Sequence, residues 1–275
     1  MDIRVSPEPL FEGTISPLIY GDFVEFLNDM IPGMWAEKIQ DRCFEGILQP
    51  NCVYPPETNW VYPRWKTFVS GLPEFNRWLD SHADTEMVNA AVNFELDSHN
   101  SFVGRHSAKI SVKQGNGKSF VAGIAQGRIA VKRGQRLNVE MYLRGGEGNS
   151  VKVLLGRNYG VFFRAYDEPE FDGVTEQWQK FSGNLVSSVS DDDASLAIGI
   201  SREATFWLDK VSLMPEDNRF GWRPDVVEAI RAMKPGIIRF GGSSLIFYQW
   251  QTGIGRRERR APFENRPWGN MEEND

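Results

Sequence analysis

Residues 205–213, TFWLDKVSL, form the last of a series of strand-like segments. Apolar side chains alternate with polar ones at a period close to two, which is typical of a half-buried β-strand. Similar runs recur upstream, and Gly, Asn and Asp, which favour turns, separate them. The expected strands are 87–96, 107–113, 119–131, 136–143, 151–155, 177–182, 195–200 and 205–213. This number of short strands predicts an antiparallel sandwich, most simply a jelly roll.

The segments on either side of these strands have an α/β pattern. Pro224 can begin a helix that Pro235 and Gly236 stop, and a short apolar run at 237–240 then predicts a buried strand. Residues 17–26 predict another such strand, and residues 35–44 are expected to form the helix that follows it. The sandwich would therefore interrupt an α/β domain.

Composition excludes several classes of protein. The chain has 275 residues, 41% of them hydrophobic, and a formal net charge of -6. This charge argues against a nucleic-acid partner, and no apolar run is long enough to predict a membrane span. The first residues lack the apolar core of a signal peptide, which predicts a cytoplasmic protein if Met1 is the true start. No metal-ligand spacing or phosphate loop is present, so we expect no cofactor.

Two charged residues lie near the carboxyl ends of the predicted flanking strands. They are Glu25 and Arg239. Folds of the α/β class place their chemistry at this edge of the sheet, and a buried charge there requires a partner. The residues themselves leave two interpretations open, a structural ion pair between neighbouring strands and a substrate-binding role.

The flanks and the end of the sandwich resemble family 51 α-L-arabinofuranosidases. The resemblance rests on the opening strand at 15–26, ISPLIYGDFVEF, and on a second unit at 220–243, FGWRPDVVEAIRAMKPGIIRFGGS. Residues 34–37 and 42–45 look like the segment after the family's first strand. Residues 206–215 look like the end of the carbohydrate-binding-module-like sandwich that larger members carry as an insertion.

This resemblance implies the fold class and the domains. The fold would combine α/β and all-β parts, as the first units of a (β/α)8 barrel, incomplete and interrupted by an inserted jelly-roll β-sandwich. The domains would be 1–59 with the N-terminal strand and first barrel unit, 60–215 with the sandwich, and 216–275 with a truncated second barrel unit.

The resemblance also implies the reaction. The chain would be the N-terminal part of a retaining glycosidase that releases terminal α-L-arabinofuranosyl groups from arabinose-containing glycans. Retention requires two carboxyl groups about 5–5.5 Å apart. In the family these two glutamates follow later strands, beyond the point matched by residue 275, so this chain alone is predicted to be inactive.

The same resemblance assigns substrate-binding roles. Glu25 and Arg239 match sugar-binding positions, and Ser243 or Ser244 would replace the family's usual polar ligand. The sequence departs from the family at two places. Asp22 stands where the family often has His, and the family's Arg-x-Pro-Gly-Gly motif corresponds to Arg239-Phe240-Gly241-Gly242, which lacks the proline.

The alternative interpretation is a non-catalytic carbohydrate-binding protein. Its sandwich would bind glycans through exposed aromatic side chains, and the candidates are Tyr159, Phe162, Phe163 and Trp178. Aromatic residues are also used in protein cores, so their exposure discriminates between the two roles.

Overall fold

The computed structural model describes residues 7–8, 12–25, 33–46, 65–70, 91–113, 120–145, 150–159, 162–242, 246, 248–265 and 270–274. Two antiparallel sheets make up most of this part of the chain. The strands are β1 (Asp22–Glu25), β2 (Lys66–Ser70), β3 (Val92–Asp97), β4 (Ser107–Val112), β5 (Val121–Val131), β6 (Arg136–Arg144), β7 (Val151–Asn158), β8 (Phe163–Asp167), β9 (Glu170–Phe171), β10 (Gln179–Val186), β11 (Asp191–Ile200), β12 (Ala204–Pro215), β13 (Ile238–Gly241), β14 (Phe263–Asn265) and β15 (Asn270–Glu272). One of the two sheets has the strand order β10-β6-β12-β4-β3, and the other has the order β2-β5-β11-β7-β8, with β9 also paired to β7.

Side-chain alternation explains why these segments form a sandwich. In β6, Leu137, Val139, Met141 and Leu143 are fully buried between the two sheets. The intervening Glu140 faces outward and pairs with Lys180 of the neighbouring strand, with 2.8 Å between the carboxylate and the ammonium. In β6 one face is thus mainly apolar and the other mainly polar, as in an antiparallel sheet with one solvated face.

The main core lies between the inner faces of the two sheets. It unites residues of both, including Ile110, Leu208 and Leu143 on one side and Ile124 and Ile198 on the other. Burial of this apolar surface stabilises the fold by about 25 cal/mol per Å². All eight strands expected from the sequence correspond to observed strands, with differences at their ends.

The flanking segments do not form barrel units, so the predicted fold class is wrong. In the described part of the chain, the parallel component consists of β1 and β13, a two-stranded sheet. The one α-helix described over its full length, α1 (Pro224–Met233), precedes β13 and has no buried residues. After β13 the chain forms the antiparallel hairpin β14–β15 instead of another strand-helix unit. The short apolar run at 237–240 predicted a buried strand, but the side chains of Ile238 and Phe240 are exposed.

The helix expected at residues 35–44 is also wrong. This segment forms bends and turns, with Asp41 and Phe44 in the left-handed region at φ of 51° and 56°. The Glu37 carboxylate accepts hydrogen bonds from the backbone N–H groups of Lys38 and Ile39 at 3.1 Å. The Lys38 N–H also donates to the Leu213 carbonyl of β12 at 3.0 Å. Side-chain and long-range acceptors thus bond the backbone of this segment, and such bonds compete with helix formation.

Membrane insertion has no helical candidate within the described ranges. None of their helices has the length and apolar character needed to cross a bilayer.

Candidate functional site

The parallel pair β1–β13 brings the two charged residues of the sequence analysis onto adjacent strands. Phe23 is in register with Arg239, and Glu25 is in register with Gly241. The pair begins with hydrogen bonds from the Asp22 N–H to the Ile237 carbonyl at 3.0 Å and from the Gly236 N–H to the Tyr20 carbonyl at 3.1 Å. A Cβ at Gly236 would collide with the carbonyl of Pro17. The glycine is therefore required where β13 enters this sheet.

One face of the pair carries an exposed arginine and an aromatic ring. The guanidinium carbon of Arg239 lies 5.3 Å from the centre of the Phe23 ring, which is a cation–π distance. The Phe23 residue is 54% exposed. An apolar ring beside a guanidinium with five N–H donors can bind a ligand that has both C–H groups and hydroxyl groups.

The opposite face of the pair rests on the C-terminal segment. Val24 packs in a small cluster with Phe263, Trp35 and Tyr248. The Tyr248 hydroxyl donates a hydrogen bond of 3.1 Å to the side-chain carbonyl of Asn274. In the described part of the chain, β1 is therefore supported at Val24 on one face of the pair, and Phe23 and Arg239 are exposed on the other.

Buried polar groups connect the sandwich to the C-terminal segment on which β1 rests. The Glu37 carboxylate accepts hydrogen bonds from the Ser212 hydroxyl at 2.6 Å and from the Leu213 N–H at 2.7 Å, both on β12. The same carboxylate is 3.0 Å from the guanidinium of Arg257. Arg42, which is fully buried, donates to the Val211 carbonyl at 2.9 Å. These contacts fix the C-terminal segment, and with it the parallel pair, against β12.

The structure covers the sequence-predicted site residues only in part. Glu25 ends β1, but its side chain lies outside the described residues, as do Ser243 and Ser244. Arg239 is on β13 and is exposed. The sequence analysis did not single out Phe23, the partner of Arg239. Phe23 lies two residues before Glu25, so strand alternation places both residues on the same face of β1, and this was the available signal.

The aromatic residues of the alternative interpretation separate into two groups. Phe163 is 5% exposed and contacts Phe68, with 5.9 Å between ring centres. Trp178 is half-buried beside Phe102, whose ring is stacked on Tyr142. Phe163 therefore belongs to the core, and Trp178 is partly covered by neighbouring rings.

Tyr159 and Phe162 form the second group. They are 51% and 49% exposed and lie next to each other at the end of the β7–β8 hairpin.

The described fold is therefore a β-sandwich with an attached parallel strand pair. Comparison with known proteins finds similarity to α-L-arabinofuranosidases. The chain is 27% identical to an extracellular exo-α-L-arabinofuranosidase of Streptomyces chartreusis, over 98% of this chain and 31% of that protein. It is 26% identical to α-L-arabinofuranosidase 1 of Arabidopsis thaliana, over 92% of this chain and 35% of that protein. The chain thus spans about a third of the length of these relatives. No family model matches it.

Solved structures resemble the sandwich only distantly. A carbohydrate-binding module of the CBM4 type aligns with 65% of this chain and 99% of its own, at 13% identity and a TM-score of 0.41. The CBM22-1 xylan-binding domain from Paenibacillus barcinonensis aligns with 45% of this chain and 81% of its own, at 14% identity and a TM-score of 0.37. Neither likeness is close enough to decide a function.

Proposed function

We propose that this chain is part of a glycoside hydrolase of the family 51 type, which releases terminal α-L-arabinofuranosyl groups from arabinose-containing glycans. Within it, Glu25 and Arg239, together with Ser243 or Ser244, bind the sugar, and the catalytic carboxyl pair is supplied by further polypeptide. The division into 1–59, 60–215 and 216–275 belongs to the same proposal.

The observation that carries this proposal is the parallel register of β1 and β13. It brings strands from the two ends of the chain together, with Arg239 opposite Phe23 and Glu25 two positions further along β1. The exposed guanidinium can donate to sugar hydroxyls, while the Phe23 ring can pack on sugar C–H groups. The arabinofuranosidase relatives, which align with 92–98% of this chain, support the choice of sugar.

Titration calorimetry with an arabinofuranosyl-substituted xylo-oligosaccharide tests the binding role. We expect the chain to bind this ligand and Arg239→Ala to weaken the affinity about tenfold, because hydrogen bonds from a charged donor are lost. Arg231→Ala is the matched control, since Arg231 is an exposed arginine on α1 that pairs with Glu228. Unchanged binding by Arg239→Ala, or equal loss in the control, would contradict the proposal.

An aryl α-L-arabinofuranoside assay tests the catalytic part. Because the proposal assigns the nucleophile and the acid/base to further polypeptide, this chain should release no aryl group above the buffer background. Release that disappears in Glu25→Gln would make Glu25 a catalytic residue and overturn its assignment as a binding residue.

A further inference from the structure

The end of the β7–β8 hairpin exposes two aromatic rings next to each other. The ring centres of Tyr159 and Phe162 are 6.0 Å apart and the ring planes differ by 24°. About half of each residue is exposed. Exposed aromatic residues on separate loops are common, but these two rings lie together and present one exposed apolar surface.

Backbone bonds hold this surface in place. The Tyr159 N–H donates a 2.8 Å hydrogen bond to the Phe162 carbonyl. Immediately below, β7 and β8 are paired from Asn158 and Phe163 onward. Phe163 anchors the hairpin, because its ring is buried against Phe68. Tyr159 and Phe162 therefore adjoin a paired strand end that Phe163 anchors in the core.

Polar groups flank the rings on the same side of the hairpin. Strand alternation places Arg157 on the side of Tyr159 and Arg164 on the side of Phe162, and the two arginines are in register. Arg157 is held by carboxylates of β11, at 2.6 Å from Asp193 and 3.3 Å from Asp191. Arg164 is exposed. The surface thus combines an apolar centre with hydrogen-bonding groups at its edge.

We infer that Tyr159 and Phe162 form a carbohydrate-binding platform, separate from the β1–β13 site, that holds a neutral polysaccharide chain. Sugar rings have one face made of C–H groups and an equator of hydroxyls, so they suit flat aromatic rings bordered by polar side chains. The choice of a glycan as ligand rests on the proposed function. The platform would keep the protein attached to its polymer, and Arg239 would bind a terminal sugar.

Affinity electrophoresis of the full chain in gels containing soluble arabinoxylan tests this inference. We expect retardation of the unmodified chain and an affinity loss of about tenfold or more in Tyr159→Ala/Phe162→Ala. Tyr159→Phe should bind like the unmodified chain, because stacking requires the ring and not the hydroxyl. Phe220→Ala is the control for removing an exposed ring elsewhere, since Phe220 is fully exposed on a different loop. Circular dichroism verifies that each variant is folded.

The outcomes separate this inference from the proposed function. Loss of polymer binding in the double variant, with retention in Arg239→Ala, supports the platform. Loss in Arg239→Ala with retention in the double variant overturns the platform and leaves the proposed function standing. Absence of retardation of the unmodified chain also overturns the platform. A change in sedimentation of the double variant without a change in polymer binding would instead identify the rings as a contact between copies of this chain.

Discussion

The ammonium group of Lys210 lies 3.2 Å from the carboxylate of Glu273, and only 1% of the Lys210 side chain is exposed. Lys210 belongs to β12 of the sandwich, whereas Glu273 follows the hairpin β14–β15. The Glu273 carboxylate also accepts a 2.8 Å hydrogen bond from the Arg42 N–H. One carboxylate therefore connects three distant segments, and it supports the sheet that carries Arg239.

Removing the Glu273 carboxylate should destabilise the protein strongly. Glu273→Ala leaves a buried ammonium without its counter-charge and the Arg42 N–H without this acceptor, for which we expect a loss of about 3–5 kcal/mol in the free energy of unfolding. Urea denaturation measures it. The control is Glu216→Ala, since Glu216 pairs with Arg136 at 2.8 Å on the surface and should contribute at most about 1 kcal/mol. Equal effects of the two substitutions would show that the Lys210–Glu273 contact is not buried in solution.

Stability should decrease as the pH rises from about 4 to about 7. Burial raises the pKa of Asp209 from 3.8 to about 7, against the opposing effect of backbone hydrogen bonds from Val103 and Phe102, and burial raises the pKa of Asp41 to about 6. In this pH range the folded state retains protons that the unfolded state has lost, so unfolding becomes more favourable as the pH increases. For Asp209 alone the change is roughly 2–4 kcal/mol.

Urea denaturation at about pH 4.5, 5.5, 6.5 and 7.5, a series that spans the titration of Asp209, checks this dependence. Asp209→Asn should flatten the slope because the amide does not titrate, although it loses the hydrogen bond that the Lys210 N–H donates to Asp209. Asp192→Asn, which makes the same chemical change at an exposed position of β11, is the matched control. A slope that Asp209→Asn does not alter would contradict this assignment.

Hydrogen exchange should divide the flanking segments into a protected and an unprotected group. Residues 36–46, 257–265 and 270–274 are connected to β12 by buried groups, including the side chains of Glu37 and Arg42, and Asn265 and Asn274 are buried. Helix α1 has no buried residues. We therefore expect slow exchange in 36–46 and 263–265 and fast exchange in 224–233, measured by mass spectrometry of peptic peptides. Equal protection of α1 and residues 36–46 would mean that α1 is covered in solution.

Gly236→Ala should loosen the parallel strand pair. The added Cβ would collide with the Pro17 carbonyl and disturb the hydrogen bond from Gly236 to Tyr20. Exchange in 18–25 and 237–241 should accelerate by about tenfold or more, while the sandwich strands keep their protection. Gly33→Ala is the matched control, because a Cβ there has no neighbour within 4 Å among the described atoms. Unchanged exchange in Gly236→Ala would exclude the close approach.

The strands of the sandwich could be predicted from the sequence because their signal is local. Alternation in β6 and β12, turn residues between strands, and Pro224 at the start of α1 each act within a few residues. The interpretation of Glu25 and Arg239 as residues of neighbouring strands agrees with the parallel pairing of β1 and β13. The positions of Ser243, Ser244 and the Glu25 side chain remain predictions.

Only the tertiary structure decided which apolar residues are buried and how the flanks are arranged. Phe162 and Phe163 are adjacent in sequence, but Phe163 packs on Phe68 from another strand, whereas Phe162 stacks on Tyr159 and stays exposed. Residues 35–44 had a helical pattern, but the contacts of Glu37 with Ser212 and Leu213 hold them in turns. Periodicity reports which side of a strand is apolar. Burial depends on what packs against that side, and here the partners come from segments far away in the chain.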